Sequence, residues 1–191
     1  MELDVLFQKH IEGQLFENRT LFVSEAINSR VAHKVINTLL ALEAKAPGKD
    51  IKLYINSPGG EVNSGFAIYD TMKFISSNVH VITAGLCASI ATVINMGADK
   101  GNRFSLPNSK FLIHQPLIHG QVQGQASDLE ITAKEIIKTR EKINQLLAKE
   151  CGQSIDRVAE DTNRDYWMNA TEAKEYGLID KIITNIKEIS A

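Results

Sequence analysis

Val79-His80-Val81-Ile82-Thr83-Ala84-Gly85-Leu86-Cys87-Ala88-Ser89-Ile90-Ala91 runs from a strand-like stretch into an apolar one that continues to Met96. Residues 79–83 predict a strand and residues 89–98 a helix. A strand-to-helix turn places Ser89 beside backbone N–H groups that no helix bond uses. There a nucleophilic hydroxyl and a developing oxyanion can share one pocket. Serine is also a favoured helix N-cap, and from Ser89 alone the cap is the commoner reading. Two distant segments shift the weight towards chemistry.

The first is Asp50-Ile51-Lys52-Leu53-Tyr54-Ile55-Asn56-Ser57-Pro58-Gly59-Gly60. Ile51, Leu53 and Ile55 alternate with Lys52, Tyr54 and Asn56, the period-two signature of a strand. Ser-Pro-Gly-Gly then breaks it. Two glycines open backbone conformations closed to residues with a Cβ and let the main chain approach a ligand. The Gly60 N–H is therefore a candidate oxyanion donor, with that of Ile90 as the second. An ordinary strand-to-helix turn is the alternative use of Pro-Gly.

The second is Lys110-Phe111-Leu112-Ile113-His114-Gln115-Pro116. His114 ends a short apolar strand, where an imidazole can act as a general base near neutral pH. A lone histidine is more often structural. The others, His10, His33, His80 and His119, have no comparable setting.

Around these segments the chain alternates strands and helices. The pattern predicts a strand over Phe16–Val23 and a helix over 29–45 with Val31, Val35, Leu39, Leu40 and Leu42. A helix of about 61–76 with Phe66, Tyr69, Met72 and Ile75 on one face follows strand 51–55, and strand 110–114 follows strand 79–83 and its helix. Ile118 to Gln125 is polar, glycine-broken and compatible with an extended segment. Ser127-Asp128-Leu129-Glu130 has the form of a capping box, opening a long helix of about 128–149. Its apolar residues are Leu129, Ile136, Ile137, Ile143, Leu146 and Leu147, opposed by charges such as Lys134, Glu135 and Arg140. Strands separated by helices indicate an α/β fold with right-handed crossovers, here as a single domain over 1–191 without repeat or linker.

The 191 residues suffice for one sizeable core, and a net charge of −2 without a basic run argues against nucleic acid as a main partner. No run of about 18 apolar residues exists, so no membrane span is expected. The N-terminus lacks a basic start followed by an apolar core, and a cytoplasmic location is the expectation. The two cysteines, Cys87 and Cys151, make no metal or disulfide pattern. Cys87 is a rival nucleophile only in principle, since a small buried thiol is its ordinary role.

Taken together, Tyr54-Ile55-Asn56-Ser57-Pro58-Gly59-Gly60, Gly85-Leu86-Cys87-Ala88-Ser89 and Ile113-His114-Gln115-Pro116 resemble the ClpP family of ATP-dependent serine peptidases in order and separation. The likeness continues through Gly124–Ile131, Asp161-Thr162-Asn163-Arg164-Asp165 and Ala173–Asp180, and so spans residues 16–184. It implies Ser89 as nucleophile, His114 as general base, Asp165 as the acid that orients the histidine, and Gly60 and Ile90 as oxyanion-hole donors. From the residues alone Asp165 is not separable from Asp128, Asp156, Asp161 and Asp180. Chain order is no obstacle, because triads are defined by geometry.

The resemblance further implies a spiral of ββα units with a protruding strand-helix handle at about 118–150 and a short N-terminal segment, 1–15. Handles of this kind interlock two stacked heptameric rings, a tetradecamer around an enclosed chamber. It implies cleavage of unfolded polypeptide delivered by an AAA+ unfoldase of the ClpX, ClpA or ClpC kind. That partner would hold the ATP, because this chain has no Gly-x-x-x-x-Gly-Lys-Ser/Thr loop and needs no cofactor or metal of its own.

Four departures from the family pattern bear on that expectation. Ile90 stands where methionine commonly follows the serine, and β-branching alters the pocket wall. Lys52 takes a position often aromatic on the unfoldase-docking surface, while Tyr54 is kept. Asn163 replaces an acidic residue before Arg164, which puts in doubt the coupling of ring contacts to active-site order. The segment before Phe16 lacks the apolar stretch that lines the axial pore, so gating can differ. Two alternatives accompany the peptidase reading: a dormant or scaffold ring subunit that needs a ClpP paralogue, and a crotonase-like acyl-CoA enzyme, which shares the spiral but relies on carboxylates rather than a serine.

Overall fold

The computed structural model describes residues 2–117 and 124–190. Among them are seven strands in one sheet and seven α-helices. The expected α/β class holds. Strands β1 (Thr20–Val23), β2 (Ile51–Ser57), β3 (Val79–Ala88), β4 (Arg103–Ser105) and β7 (Lys181–Ile182) lie side by side in that order. Every pairing along this path is parallel. Helix α2 (Ser29–Lys45) connects β1 to β2, α3 (Val62–Phe74) connects β2 to β3, and α4 (Ile90–Asn95) leads from β3 towards β4. Strand β5 (Lys110–Ile113) leaves this path: it pairs in parallel with the far half of β3 and antiparallel with β6 (Tyr166–Asn169).

The patterns that predicted these elements also explain their burial. In β2, Ile51, Leu53, Ile55 and Ser57 are buried, whereas Lys52, Tyr54 and Asn56 are not. In α2, Val31, Val35, Leu39 and Leu42 face the core while Leu40, expected with them, is exposed, and Asn28 caps the helix by accepting the Val31 N–H at 3.0 Å. In α3, Phe66 and Met72 are buried, with Tyr69 and Ile75 packed against the same core. That core is one continuous cluster running from Leu21 to Ile179.

Strand β3 extends beyond the predicted 79–83 because it serves two neighbours. Its first half pairs with β4 and its second half, Leu86–Ala88, with β5. The register against β2 jumps from Ile55↔Thr83 to Ser57↔Cys87, a bulge around Gly85. Gly85 has φ 117°, and a Cβ there would stand 2.6 Å from Asn56 Oδ1, the atom that accepts the Leu86 N–H at 3.0 Å. A bulge re-aims a strand, and here it directs Ala88 and Ser89 towards β5.

Three expectations are corrected. Phe16 belongs to helix α1 (Glu2–Glu17), and only Thr20–Val23 forms the first strand. Arg19, at φ 53°, makes the turn between them, and its guanidinium donates to the carbonyls of Leu42, Lys49 and Asp50. The long helix α5 spans Ala126–Cys151, with Gln125 as a cap that makes no side-chain bond. Ser127 lies inside its first turn, so the predicted capping box does not form. Helix α4 starts after Ser89 and ends at Asn95, shorter than the predicted 89–98. The extended segment expected at 118–125 lies largely outside the described residues. Helices α6 (Ile155–Asp161) and α7 (Ala170–Tyr176) and a 3₁₀ turn at Ile186–Ser190 complete the fold. Among the described residues no helix is long and apolar enough to cross a membrane.

Candidate active site

Ser89 occupies the turn between β3 and α4 with φ 56° and ψ −127°, a region that residues with a Cβ rarely adopt. Such backbone is retained where surrounding structure holds it, commonly at functional sites. Its main-chain N–H donates to Leu112 O at 2.8 Å, and its carbonyl accepts from Thr92 N at 3.0 Å and Thr92 Oγ1 at 2.7 Å. The Ser89 side chain makes no capping bond to α4. The helix-cap reading of this residue is thereby set aside.

The Pro-Gly-Gly turn lies against it. A Cβ on Gly59, at φ 91°, would stand 2.7 Å from Ser89 Cβ and 3.3 Å from the Ile90 nitrogen. Gly60, at φ 152°, bridges to Ile27: the Ile27 N–H donates to Gly59 O and the Glu61 N–H to Ile27 O, both at 2.8 Å. That bridge uses the groups on either side of Gly60, and the Gly60 N–H makes no hydrogen bond among the described residues. Ile90 is the first residue of α4, so its N–H has no partner within the helix. Ser57, which the sequence did not single out, organises the turn: its hydroxyl donates to Glu25 O at 2.7 Å and accepts the Gly59 N–H at 3.1 Å.

His114 follows β5 and Asp165 precedes β6. The last pair of their antiparallel ladder is Ile113↔Tyr166, so one further step sets His114 opposite Asp165. His114 Nδ1 stands 3.3 Å from Asp165 Oδ1. The approach is too oblique for a hydrogen bond, and Nδ1 is a buried nitrogen without one among the described residues. The two partners differ in setting: the His114 side chain is 13% exposed and that of Asp165 61%. Ser89, Ile90 and His114 line a small cavity of about 20 Å³, walled by Val62, Val93, Ile143 and Leu147.

The competing aspartates are engaged elsewhere. Asp180 accepts the N–H groups of Gly101 at 2.7 Å and Arg103 at 2.9 Å. Asp161 sits 3.6 Å from Arg157. Asp128 and Asp156 lie in the first turns of α5 and α6. Cys87 is wholly buried, and burial pushes its thiol up to about 12, which removes it as a thiolate nucleophile. Among the described residues no cluster of His, Cys, Asp and Glu could hold a metal ion.

A sequence model of the Clp protease family matches residues 7–186. The chain belongs to the Clp protease family. Ser89, Gly59, Gly60, His114 and Asp165 all fall within the matched stretch, as do the sheet and helices α2 to α7. As a Clp protease family member the chain is a ClpP-type peptidase, and the crotonase-like alternative is set aside. Of the residues that the sequence proposed, Ser89, Ile90 and His114 line one small cavity, while Asp165 stands beside His114 and neither it nor Gly60 lines that cavity. Besides Ser57, sequence reasoning missed Gln115, which bonds the segment leading to Asp165. Its only sequence signal was its place directly after His114.

Proposed function

We propose that this chain is the proteolytic subunit of an ATP-dependent Clp protease, a serine endopeptidase that hydrolyses unfolded polypeptide. One observation carries the reading: the β5–β6 ladder sets His114 Nδ1 3.3 Å from Asp165 Oδ1, beside the cavity that Ser89 lines. With Nδ1 turned to the carboxylate, Nε2 is the ring nitrogen left to take the Ser89 proton. The Ser89 oxygen attacks the peptide carbonyl as His114 becomes imidazolium, and Asp165 stabilises that charge. The oxyanion is held by the N–H groups of Gly60 and Ile90, which helix and bridge leave free. His114 then gives its proton to the leaving amine as the C–N bond breaks, and water activated by the same imidazole releases the acyl group from Ser89.

The family's ring assembly supplies the setting. Two stacked heptameric rings would enclose the serines and admit only unfolded chains. An AAA+ unfoldase of the ClpX, ClpA or ClpC kind would deliver them and carry the ATP chemistry. Phe22 is half exposed and stacks on Tyr54 with ring centroids 5.2 Å apart, an aromatic pair that supports a docking partner. Two unpaired cysteines suit a reducing cytoplasm.

A second reading is favoured by the oblique His114–Asp165 contact: a ring subunit whose triad aligns only beside a ClpP paralogue or an unfoldase. Catalytic hydrogen bonds are often loose before substrate binds, so the first reading stands ahead. Labelling with a fluorophosphonate serine probe, together with the mass of the particle, tests both. Labelling of the native tetradecamer that is lost in Ser89→Ala supports the active peptidase. An unlabelled but well-assembled particle that labels only after a second ClpP chain is added supports the dependent subunit.

A further inference from the structure

We infer that Gln115 is a positioning residue of the triad, a latch whose carboxamide holds the Asp165 segment against His114; this rests on the peptidase reading above. The ladder that aligns the two ends at Ile113↔Tyr166, one step short of the reacting side chains. Beyond it the strands part. Pro116 has no N–H to continue the ladder, and the other chain turns away through Thr162, Asn163 and Arg164.

Gln115 spans the gap that opens. Its main-chain N–H donates to Thr162 O at 2.6 Å, and its Nε2 donates to Asn163 O at 2.8 Å. Both acceptors are main-chain carbonyls, so the nitrogen end of the carboxamide must face Asn163. The segment Thr162–Asp165 is thus held at one end by β6 and at the other by Gln115. Thr162 is itself anchored, its hydroxyl donating to Val158 O at 2.7 Å, with Asn144 Oδ1 3.1 Å from the same oxygen. The carboxamide transmits that anchorage to the chain two residues before Asp165.

Asp165 needs such a support because little else fixes it. Its side chain is 61% exposed and meets His114 obliquely. Gln115 borders a cavity of about 240 Å³ that Arg140, Asn144 and Asn163 also line, and His114 is not among the lining residues. A change at Gln115 therefore has room to be accommodated without disturbing the core. The Asn163 side-chain oxygen lies 3.5 Å from Gln115 Nε2, behind the shorter bond to its own carbonyl.

The test is a double-mutant cycle between Gln115→Leu and Asp165→Asn on the assembled enzyme. It reads turnover of a short fluorogenic peptide, the rate of fluorophosphonate labelling, and thermal unfolding. Gln115→Leu is expected to lower kcat about tenfold, the scale of one lost hydrogen bond, with KM and Tm unchanged. Gln115→Glu, which offers only oxygens to a carbonyl, is expected to be no better. In the Asp165→Asn background Gln115→Leu is expected to add nothing, since its effect passes through Asp165. Additive losses, a raised KM in place of a lowered kcat, or full activity in either Gln115 variant overturns the latch while leaving the triad intact. An Asp165→Asn enzyme as active as its parent overturns the triad reading itself, and the latch with it.

Discussion

Gly59 and Ser89 occupy each other's space: a Cβ on Gly59 would stand 2.7 Å from Ser89 Cβ and 2.6 Å from Ala88 O. Both residues also have positive φ, 91° and 56°. The turn that follows β2 and the turn that follows β3 are therefore fitted to one another, and the fit sets where the serine hydroxyl lies relative to the Gly60 and Ile90 N–H groups.

Gly59→Ala is accordingly expected to disable the site. Alanine at this φ carries a backbone cost of about 1–3 kcal/mol, and its methyl group displaces Ser89 or Ala88. Fluorophosphonate labelling is expected to fall by at least about a hundredfold, the scale of one lost oxyanion donor. Circular dichroism melting reports whether the fold persists. Normal labelling in Gly59→Ala would mean that the two turns can separate without consequence.

Ser89→Ala is expected to remove activity and leave assembly intact. Triad loss typically lowers kcat by about 10⁴ or more. Cys87→Ala, two residues away, is expected to retain labelling, because that thiol is buried and held neutral. Labelling lost in Cys87→Ala but kept in Ser89→Ala would reverse the assignment of nucleophile.

These residues differ in how far the sequence reveals them. Strand β2 and helix α2 were legible because a single buried face prints its period on local sequence. Ser89, Gly60 and His114 were legible because each ends a strand at a break in that pattern. Asp165 was not separable from its rivals, because its role depends on the pairing of β5 with β6, more than fifty residues apart in the chain. The Phe16–Val23 run misled because its apolar residues serve two elements, with Arg19 turning the chain between them. Arg103 was hidden for a similar reason. In sequence it follows Gly101-Asn102 and reads as part of a loop, whereas in the fold it is 1% exposed and meets Glu150 across forty-seven residues.

That buried pair makes a stability prediction. The Arg103 guanidinium donates to Ala98 O at 2.9 Å and Met96 O at 3.3 Å and pairs with the Glu150 carboxylate near the end of α5. Glu150→Ala leaves the guanidinium buried without its counter-charge, which typically costs about 3–5 kcal/mol. Chemical denaturation of the variant is expected to show a loss of that size. Arg103→Met combined with Glu150→Leu is expected to recover much of it, because no charge is then left buried. A Glu150→Ala protein as stable as its parent would show that the carbonyls of Met96 and Ala98 satisfy Arg103 alone.

Glu43 gives a prediction in pH. Its carboxylate accepts from the hydroxyls of Ser76 and Ser77 and from their main-chain N–H groups, and the two hydroxyls lead in holding it down to about 2, against an ordinary value of 4.5. The depressed value means that the folded state binds the proton less readily than the unfolded chain. The contribution to stability is therefore fully present above about pH 4.5 and is lost as pH falls through about 2. It ties α2 to the turn after α3, where Ser76 and Ser77 precede β3. Glu43→Gln is expected to unfold at lower denaturant concentration than the parent at pH 7. The gap is expected to narrow from pH 4.5 downwards and to vanish near pH 2, provided both proteins still fold there. A gap that stays constant across that range would show that Glu43 acts through packing rather than through its charge.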